Sequence, residues 1–451
     1  MIRKVLIANR GEIACRIIRT CRKMGIRTVA VYSDADKDAL HVQLADEVVR
    51  IGPPPVAESY LQMDAIIEAA RSTKADALHP GYGLLSENPE FAKRSEAAGI
   101  RFVGPSSAAI AQMGSKVAAR QMMQQAGVPL VPGSDGAVAD EEQALAEADR
   151  LGYPVMLKAS AGGGGIGMQV VDDADALKKA FASNQTRAKA YFGNGEMFIE
   201  KRIVSPRHIE VQVLFDAHGN GVYLWERECS VQRRHQKVVE EAPSPFLDAD
   251  LRRQMGEAAL LAARSISYAN AGTVEFIVDN DRNFYFLEMN TRLQVEHPVT
   301  EFITGLDIVE WQLRIASGEI LGFRQEDVKL SGHAIECRVY AEDPVKMLPS
   351  PGTIRELVLP EGDGIRNDVG VTGSSVVSPF YDPMVGKLIA YGANRDEAIQ
   401  RMATALSEYH IDGIKTNLPL LAKIIAADAF LRGDTTTDFI SQHITWKESF
   451  K

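Results

Sequence analysis

Cysteines are few in this chain of 451 residues, and their spacing argues against two classes of protein. The four cysteines are Cys15, Cys21, Cys229 and Cys337. They have neither CxxC spacing nor the spacing of a zinc site, which argues against a disulfide scaffold and a structural zinc domain. We therefore expect reduced thiols in a cytoplasmic protein.

Long apolar runs are also absent. No segment reaches the roughly 18 apolar residues that a transmembrane helix needs. The apolar run at residues 5–8 is cut off by Asn9 and Arg10, which indicates a first β-strand and not a signal peptide. We therefore expect a soluble protein with no membrane partner.

The chain also has no excess of basic residues. The net charge of −10 argues against nucleic-acid binding, although it leaves room for a local basic pocket for phosphates. Apolar residues make up 45% and charged residues 24% of the chain, as in ordinary globular proteins. With no repeats or low-complexity tracts, the length predicts about three domains.

Strands and helices alternate at the start of the chain, which predicts a parallel sheet covered by helices. The expected strands lie at 4–8, 28–32 and 75–79, and the expected helices lie at 12–24 and 60–71. From about residue 196 the pattern changes to long alternating strands, with hairpin turns at 218–221 and 279–282. A last portion mixes short strands with helices near 396–408 and 418–427. This order predicts a multidomain protein of the α/β and α+β classes.

Polar residues occupy every second position of the segment 288–296. They are Glu288, Asn290, Arg292, Gln294 and Glu296. In an extended chain all five side chains would lie on one face. Carboxylate and amide oxygens suit hard cations, and a guanidinium suits phosphate or carbonate, so this face indicates a ligand site. The alternative is the solvated outer face of a strand.

A run of glycines lies within residues 162–167, after a predicted strand that ends near Lys158. Because residues 168–171 are strand-like, the run predicts a hairpin flap that closes over phosphates, and not the strand-to-helix turn of a dinucleotide fold. Lys158 and Lys116 are candidate phosphate contacts. A Walker A loop is absent, since Ser115 and not glycine precedes Lys116. The alternative is a long flexible turn without a ligand.

Two acidic residues, Glu275 and Glu288, lie on the two arms of the hairpin near residue 281 and are predicted to be close neighbours. Opposed carboxylates are destabilising unless a cation lies between them. A Mg²⁺ ion shared with Asn290 would resolve the conflict. A strand register that separates the two acids is the alternative.

The segment 229–237 is rich in hydrogen-bond donors. They are Gln232, Arg233, Arg234, His235 and Lys237. The segment predicts either an anion-binding site or a surface loop that Glu240 and Glu241 neutralise.

Five segments together resemble biotin carboxylase, and the resemblance extends to about residue 445. They are VLIANRGEIA at 5–14, HPGYGLLSE at 79–87, the glycine run with Lys158, RRHQKVVEEAP at 233–243 and EMNTRLQVEHP at 288–298. The resemblance implies an ATP-grasp enzyme in four segments. They are a Rossmann-like domain at 1–114, a linker and glycine-rich lid at 115–203, an ATP-grasp core at 204–330 and a C-terminal domain at 331–446.

The resemblance also implies the chemistry. ATP and bicarbonate would form carboxyphosphate, and the CO₂ it releases would carboxylate biotin. Glu296 would deprotonate bicarbonate, Lys237 and Arg292 would bind it, and Gln294 and Val295 would complete the pocket. Arg338 would stabilise the ureido oxygen of biotin, because a guanidinium stays charged at every working pH.

The implied ligands are ATP with Mg²⁺ or Mn²⁺, and biotin as a substrate that is not attached to this chain. The metal ligands would be Glu275, Glu288 and Asn290. The nucleotide contacts would be Lys116, Lys158, Gly163, Gly164, Gly165, Gly167, Glu200, Lys201, Val204, His208, Gln232, His235, Glu275 and Glu288.

The expected partners are a biotin carboxyl carrier protein, carboxyltransferase subunits and a second copy of this chain. No Ala-Met-Lys-Met biotinylation motif is present, since Lys346-Met347 leads into a segment that itself resembles biotin carboxylase. We therefore expect a free-standing subunit of acetyl-CoA carboxylase. The same half-reaction in an acyl-CoA, propionyl-CoA or two-subunit pyruvate carboxylase is the alternative.

Two features depart from the family pattern. Ile166 stands where many members carry Arg or Lys, which affects one lid contact, and the turn near Asp281 has an extra residue. More distant alternatives are another ATP-grasp ligase and a non-catalytic nucleotide-binding subunit.

Overall fold

The computed structural model describes residues 1–159, 168–192 and 195–445. The chain divides into two compact units. The first comprises Met1–Ala111, Arg207–Glu275 and Met289–Lys451, and the second comprises Gln112–Pro206 and Phe276–Glu288. Among the described residues, no helix combines the length and the apolar character needed to cross a membrane.

The first unit begins with a parallel sheet of five strands in the order β3-β2-β1-β4-β5. Its strands are β1 (Lys4–Ile7), β2 (Arg27–Ser33), β3 (Glu47–Gly52), β4 (Ala77–His79) and β5 (Arg101–Phe102). The connecting α-helices are α1 (Gly11–Lys23), α2 (Leu40–Leu44), α3 (Met63–Ser72) and α4 (Pro89–Ala97), with α5 (Ser107–Gly114) after the last strand. The predicted strand–helix alternation is confirmed.

The apolar run at the start of the chain is explained by burial on both faces of this sheet. Val5 and Ile7 belong to one hydrophobic cluster, whereas Leu6 and Ala8 belong to another. Since successive strand residues point to opposite faces, a strand covered on both sides needs consecutive apolar residues.

A second sheet of eight strands contributes most of the candidate site. Its order is β13-β12-β9-β10-β11-β14-β19-β17. The strands are β9 (Arg207–Phe215), β10 (Gly221–Arg233), β11 (Gln236–Ala242), β12 (Asn270–Val278), β13 (Phe284–Asn290), β14 (His333–Tyr340), β17 (Ile365–Val369) and β19 (Met384–Gly392).

Helices and short strands complete the first unit. The helices are α9 (Ala249–Ser265), α10 (His297–Thr304), α11 (Ile308–Ala316), α12 (Arg395–Glu408), α13 (Leu418–Ile425), α14 (Asp428–Leu431) and α15 (Phe439–His443). The short strands are β15 (Gly352–Thr353), β16 (Glu356–Val358), β18 (Val376–Val377) and β20 (His410–Asp412), which pair as β15-β18 and β16-β20.

The second unit contains a three-stranded sheet in the order β7-β6-β8. Its elements are α6 (Lys116–Ala126), α7 (Glu141–Leu151), β6 (Val155–Ala159), β7 (Met168–Val171), α8 (Ala174–Phe192) and β8 (Met197–Lys201). Strands β6 and β7 pair in antiparallel fashion, with Lys158 opposite Met168, so the predicted strands on either side of the glycine run are confirmed. The glycine run itself and Ile166 lie outside the described residues.

The expectation that residues 288–296 form one extended strand is wrong. Strand β13 ends at Asn290, and helix α10 begins at His297 with Glu296 as its N-cap. Pro298 occupies the first turn of that helix, where its missing N–H costs nothing. Leu293 is fully buried, so the chain leaves the sheet to bury an apolar side chain before the helix starts.

The buried His79 predicts a loss of stability in acid. Its Nδ1 atom accepts a hydrogen bond from the Gly81 N–H at 3.0 Å, and its Nε2 lies 3.2 Å from Oε1 of Gln312, which fits a neutral ring. Burial lowers the pKa of His79 to about 3. Since the unfolded chain binds a proton near pH 6.5, the free energy of unfolding should fall as the pH falls below that value, by about 2 kcal/mol at pH 5.

This loss can be measured by urea unfolding at pH 7 and pH 5. The variant His79→Asn should show a smaller drop between the two pH values than the unmodified chain, whatever its stability at pH 7. His218→Asn, at an exposed position, is the control and should keep the full drop. An equal drop in the chain and in His79→Asn would contradict the prediction.

Candidate active site

One buried ammonium group joins three buried carboxylates at the centre of the site. The Nζ atom of Lys237, on β11, donates to Oε2 of Glu210 at 2.6 Å, to Oε1 of Glu275 at 2.8 Å and to Oε1 of Glu296 at 2.8 Å. Burial alone would lower the pKa of Lys237, but the three carboxylates raise it well above its ordinary value. The cluster is therefore held together by a permanent positive charge.

A chain of amide and guanidinium groups extends from Glu275. Its Oε1 accepts from Nδ2 of Asn290 at 2.8 Å and from Nε2 of Gln294 at 2.9 Å. The oxygens of those two amides accept from Arg292, at 3.0 Å and 2.9 Å. The Nε atom of Arg292 donates to Oε2 of Glu87 at 2.9 Å. The last residue of β13 and the loop after it thus bring together Asn290, Arg292 and Gln294 without one continuous strand.

Arg338 approaches the same cluster from strand β14. Its Nε donates to Oε1 of Glu240 at 2.6 Å, and its Nη2 donates to Oε2 of Glu296 at 3.0 Å. Glu296 therefore lies between two cations, Lys237 on one oxygen and Arg338 on the other. Next to it, the carbonyl oxygen of Val295 accepts from Nζ of Lys387 at 2.6 Å.

These contacts keep two acids ionised despite their burial. Burial would raise the pKa of Glu296, but Lys237 and Arg338 hold it well below its usual range. Burial likewise opposes ionisation of Glu275, whose pKa Lys237 and His208 hold well below the usual range. Both side chains are therefore carboxylates at neutral pH, and both can accept a proton or a cation.

Arg227 supports the cluster through Glu210. Its guanidinium donates through Nε to Glu210 at 2.5 Å, through Nη1 to Gln212 at 2.8 Å and Thr300 at 2.9 Å, and through Nη2 to Thr273 at 3.0 Å. Its side chain is fully buried. Because four different residues accept from its guanidinium, Arg227 is held in one orientation. It therefore fixes the position of Glu210, whose other oxygen accepts from Lys237.

His208 and Gln232 lie at the edge of the same cluster. The Nε2 atom of His208 is 2.8 Å from Oε2 of Glu275, and Nε2 of Gln232 is 2.8 Å from Nδ1 of the same ring. By contrast, His235 is exposed in the turn between β10 and β11, with a φ of 65°. The donor-rich segment is thus a hairpin whose base enters the site, while Glu240 and Glu241 are buried and not on a surface loop.

The acids of the site suit a divalent cation. Ligand atoms of His208, Glu210 and Glu275 lie within 4.8 Å of one another. Glu275 and Asn290 supply carboxylate and amide oxygens, which hard cations prefer. Cationic and amide groups donate to the Glu275 oxygens in this structure. A bound metal cation would replace those donors. The residues therefore fit Mg²⁺ or Mn²⁺ in charge and donor type.

The second unit holds its own set of predicted residues. Glu200 forms ion pairs with Lys158 and, at 2.9 Å, with Arg120, while Nζ of Lys201 donates to the Gly152 carbonyl at 2.6 Å. A cavity of about 590 Å³ in this unit is lined in part by Lys116, Arg120 and Phe198. Val204 and Glu288 are exposed. The predicted contacts Gly163, Gly164, Gly165 and Gly167 lie outside the described residues.

Models of three protein families match the chain in succession. They are the biotin carboxylase N-terminal domain at residues 1–110, the carbamoyl-phosphate synthase L chain ATP-binding domain at 115–324 and the biotin carboxylase C-terminal domain at 336–442. The chain is 61% identical over 447 residues to "Biotin carboxylase" of Halalkalibacterium halodurans, covering 99% of both chains. This chain belongs to the biotin carboxylase family.

Other relatives and solved structures agree with that membership. "Biotin carboxylase 2" of Bacillus subtilis is 60% identical over 98% of this chain and 100% of its own. A Campylobacter jejuni biotin carboxylase structure, described as a β-γ-ATP complex, has a TM-score of 0.94 at 47% identity and covers 98% of this chain and 99% of its own. The family resemblance inferred from the sequence is therefore confirmed, as are its ATP-grasp type of ATP-binding domain and its class as an ATP-dependent ligase.

Reasoning from the sequence missed several groups that hold this biotin carboxylase site together. They are Glu87, Glu210, Arg227, Glu240 and Lys387. One signal was available: after Arg207, strand β9 is apolar except at His208, Glu210 and Gln212, which alternate and so share a face. Three polar side chains on one face of a fully buried strand indicate a polar network and not a solvated surface.

Removing Arg227 should lower the free energy of unfolding. The variant Arg227→Met leaves Glu210 with one cation in place of two and deprives buried oxygens of Gln212, Thr273 and Thr300 of their donor. A broken buried ion pair costs about 3–5 kcal/mol, so urea unfolding should show a loss of that order. Arg253→Met, at an exposed ion pair, is the control and should change little. Equal losses in the two variants would contradict the role given to Arg227.

Proposed function

We propose that this chain carboxylates biotin on a separate carrier protein, using ATP and bicarbonate and releasing ADP and phosphate. The observation that carries the proposal is the buried Glu296 carboxylate between Lys237 and Arg338. Such a group can take a proton from one reactant while the two cations attract the anionic partners of the reaction.

Bicarbonate is the reactant that this cluster suits best. Lys237 and Arg292 supply an ammonium and a planar guanidinium, and a guanidinium matches the two oxygens of a planar carbonate. Glu296 would accept the proton of bicarbonate. While Lys237 and Arg338 both donate hydrogen bonds to it, Glu296 is a weak base. An incoming anion that draws these cations to itself would raise its basicity at the moment of proton transfer.

The nucleotide would bind the residues that the family resemblance predicts for it. They are Lys116, Lys158, Glu200, Lys201, Val204, the glycine run, His208, Gln232 and His235. Glu275, Glu288 and Asn290 would hold Mg²⁺, which supplies charge neutralisation for the phosphates when bound.

Arg338 would act on biotin. Removal of the N1 proton places negative charge on the ureido oxygen, and a charged guanidinium stabilises that oxyanion. The guanidinium is already held at two atoms, so little reorganisation accompanies the reaction.

The final acyl acceptor belongs to a partner carboxyltransferase. We favour acetyl-CoA, in keeping with the two relatives named above, which bear the name biotin carboxylase and are covered over 99% and 100% of their length. The human mitochondrial propionyl-CoA carboxylase alpha chain, 53% identical, is the reason to keep the acyl-CoA alternative; this chain covers 62% of it.

A homodimer is also proposed. A related structure from Hydrogenobacter thermophilus, 47% identical with a TM-score of 0.91, is described as a biotin carboxylase domain dimer of 2-oxoglutarate carboxylase; the match covers 98% of both chains.

Release of ADP from MgATP and bicarbonate tests the proposed function directly. Adding free biotin should stimulate release by the purified chain, because biotin consumes the CO₂ from carboxyphosphate. Omitting bicarbonate is the control and should abolish the stimulation. Bound ATP without stimulation at high biotin would favour an enzyme that needs the carrier protein or a non-catalytic subunit, and a further lack of stimulation by a biotinylated carrier protein would refute the proposal.

Two substitutions separate catalysis from nucleotide binding. Glu296→Ala should lower the biotin-stimulated turnover roughly 100-fold or more, since it removes the base. Arg338→Ala should do the same through the loss of oxyanion stabilisation. Both variants should still bind ATP in equilibrium titrations. Loss of ATP binding in either variant would mean that the assignment of the site is wrong.

A further inference from the structure

Two buried glutamates face each other behind Arg338. Glu240 on β11 and Glu336 on β14 are direct cross-strand neighbours, and both are almost completely buried. Oε1 of Glu240 accepts from Nε of Arg338 at 2.6 Å. Among the described residues, its Oε2 and both oxygens of Glu336 have no hydrogen-bond partner. Two carboxylates in this arrangement repel each other, so only one of them can be ionised at little cost.

The contacts decide which of the two carries the charge. Glu240 is bonded to a guanidinium, whereas the carboxyl group of Glu336 makes no hydrogen bond within the part of the chain that the structure describes. Burial raises the pKa of Glu336 well above its usual value, and burial raises that of Glu240 to about 7 in spite of Arg338. Glu336 is therefore the neutral acid and Glu240 the carboxylate above pH 7.

Other charged groups surround the pair on every side. The titratable and charged groups near it include Lys237, Glu296, Arg338, Tyr340, Lys387, Cys229 and Cys337, with His297 and Glu12 behind Lys387. The nearby cations Lys237 and Lys387 have other anionic or carbonyl partners. Arg338, in contrast, bonds to Glu240 and Glu296 alone among the acids of the described residues.

We propose that Glu240 is the positioning residue for Arg338, and that the uncharged Glu336 opposite it allows Glu240 to remain a carboxylate. The inference rests on the proposed function, in which Arg338 stabilises the biotin oxyanion. Glu240 holds the Nε corner of the guanidinium while Glu296 holds Nη2. When bicarbonate or biotin engages Glu296, Glu240 is the anion that still fixes the orientation of Arg338.

A pH dependence follows from this arrangement. As the pH falls through about 7, Glu240 takes up a proton and becomes a weaker acceptor for Arg338. The turnover that depends on biotin should therefore decline on the acid side, with bicarbonate kept saturating at each pH. Above that pH, Glu240 is ionised and the turnover should be level.

The variant Glu240→Gln tests the inference, because glutamine keeps the size and an acceptor oxygen but cannot ionise. At pH 8 its kcat for biotin-stimulated ADP release should fall about 10-fold, with the KM values for ATP and bicarbonate changed less than 3-fold. Between pH 6 and 8 its kcat should be nearly constant. A purely structural role would lower the melting temperature without removing the acid decline.

Glu228→Gln is the matched control. Glu228 is a buried glutamate of the same sheet, bonded to the hydroxyl of Ser244 at 2.8 Å, and burial raises its pKa to about 7 as well. It has no bond to Arg338, so this variant should keep both the kcat and the acid decline. A wild-type kcat and a wild-type pH profile in Glu240→Gln would overturn the inference, and so would the same loss in Glu228→Gln.

Glu240→Asp decides the matter if the glutamine variant does not fold. Aspartate keeps the charge but is shorter by one methylene, so the acid decline should remain while kcat falls. A wild-type kcat in Glu240→Asp would then overturn the inference. Failure of the proposed function looks different: the unmodified chain would show no biotin-stimulated ADP release at any pH.

Discussion

The ammonium of Lys237 is the group on which the site depends. It bonds three carboxylates that come from different elements: Glu210 from β9, Glu275 from β12 and Glu296 from the start of α10. Without that cation the acids would repel one another in a buried environment, and some would have to take up protons. The cluster therefore both joins the central strands to helix α10 and keeps Glu296 charged.

The balance of charge explains why such a cluster can accept substrates. Glu210 and Glu296 each face two cations, so neither of these acids depends on a single cation. An anion entering the site can therefore attract Lys237 or a nearby arginine without leaving a buried carboxylate unpaired. This sharing keeps the cost of rearrangement low, whereas an isolated buried ion pair would lose several kcal/mol on separation.

Support behind the reactive groups comes from the sheet itself. Arg227 and Glu240 lie on neighbouring strands, and each fixes one partner of the cluster through its own hydrogen bonds. Because these side chains lie on a rigid sheet and not on loops, they restrain Lys237, Glu296 and Arg338 to a narrow set of positions. Restraint of this kind lowers the reorganisation that accompanies a charge-forming step.

Sequence motifs by themselves determined the family and the strand–helix order around the first sheet. The motifs contain Lys237, Arg292 and Glu296, whereas Arg338 was predicted from the family resemblance alone. Periodicity failed after Asn290, since alternation of polar and apolar residues cannot distinguish a strand from a loop in which residues of both kinds are buried. Only the tertiary structure revealed Arg227 and Glu336, and the partners of Glu210. Their roles depend on which strands become neighbours across the sheet, and long-range strand pairing leaves no local pattern in the chain.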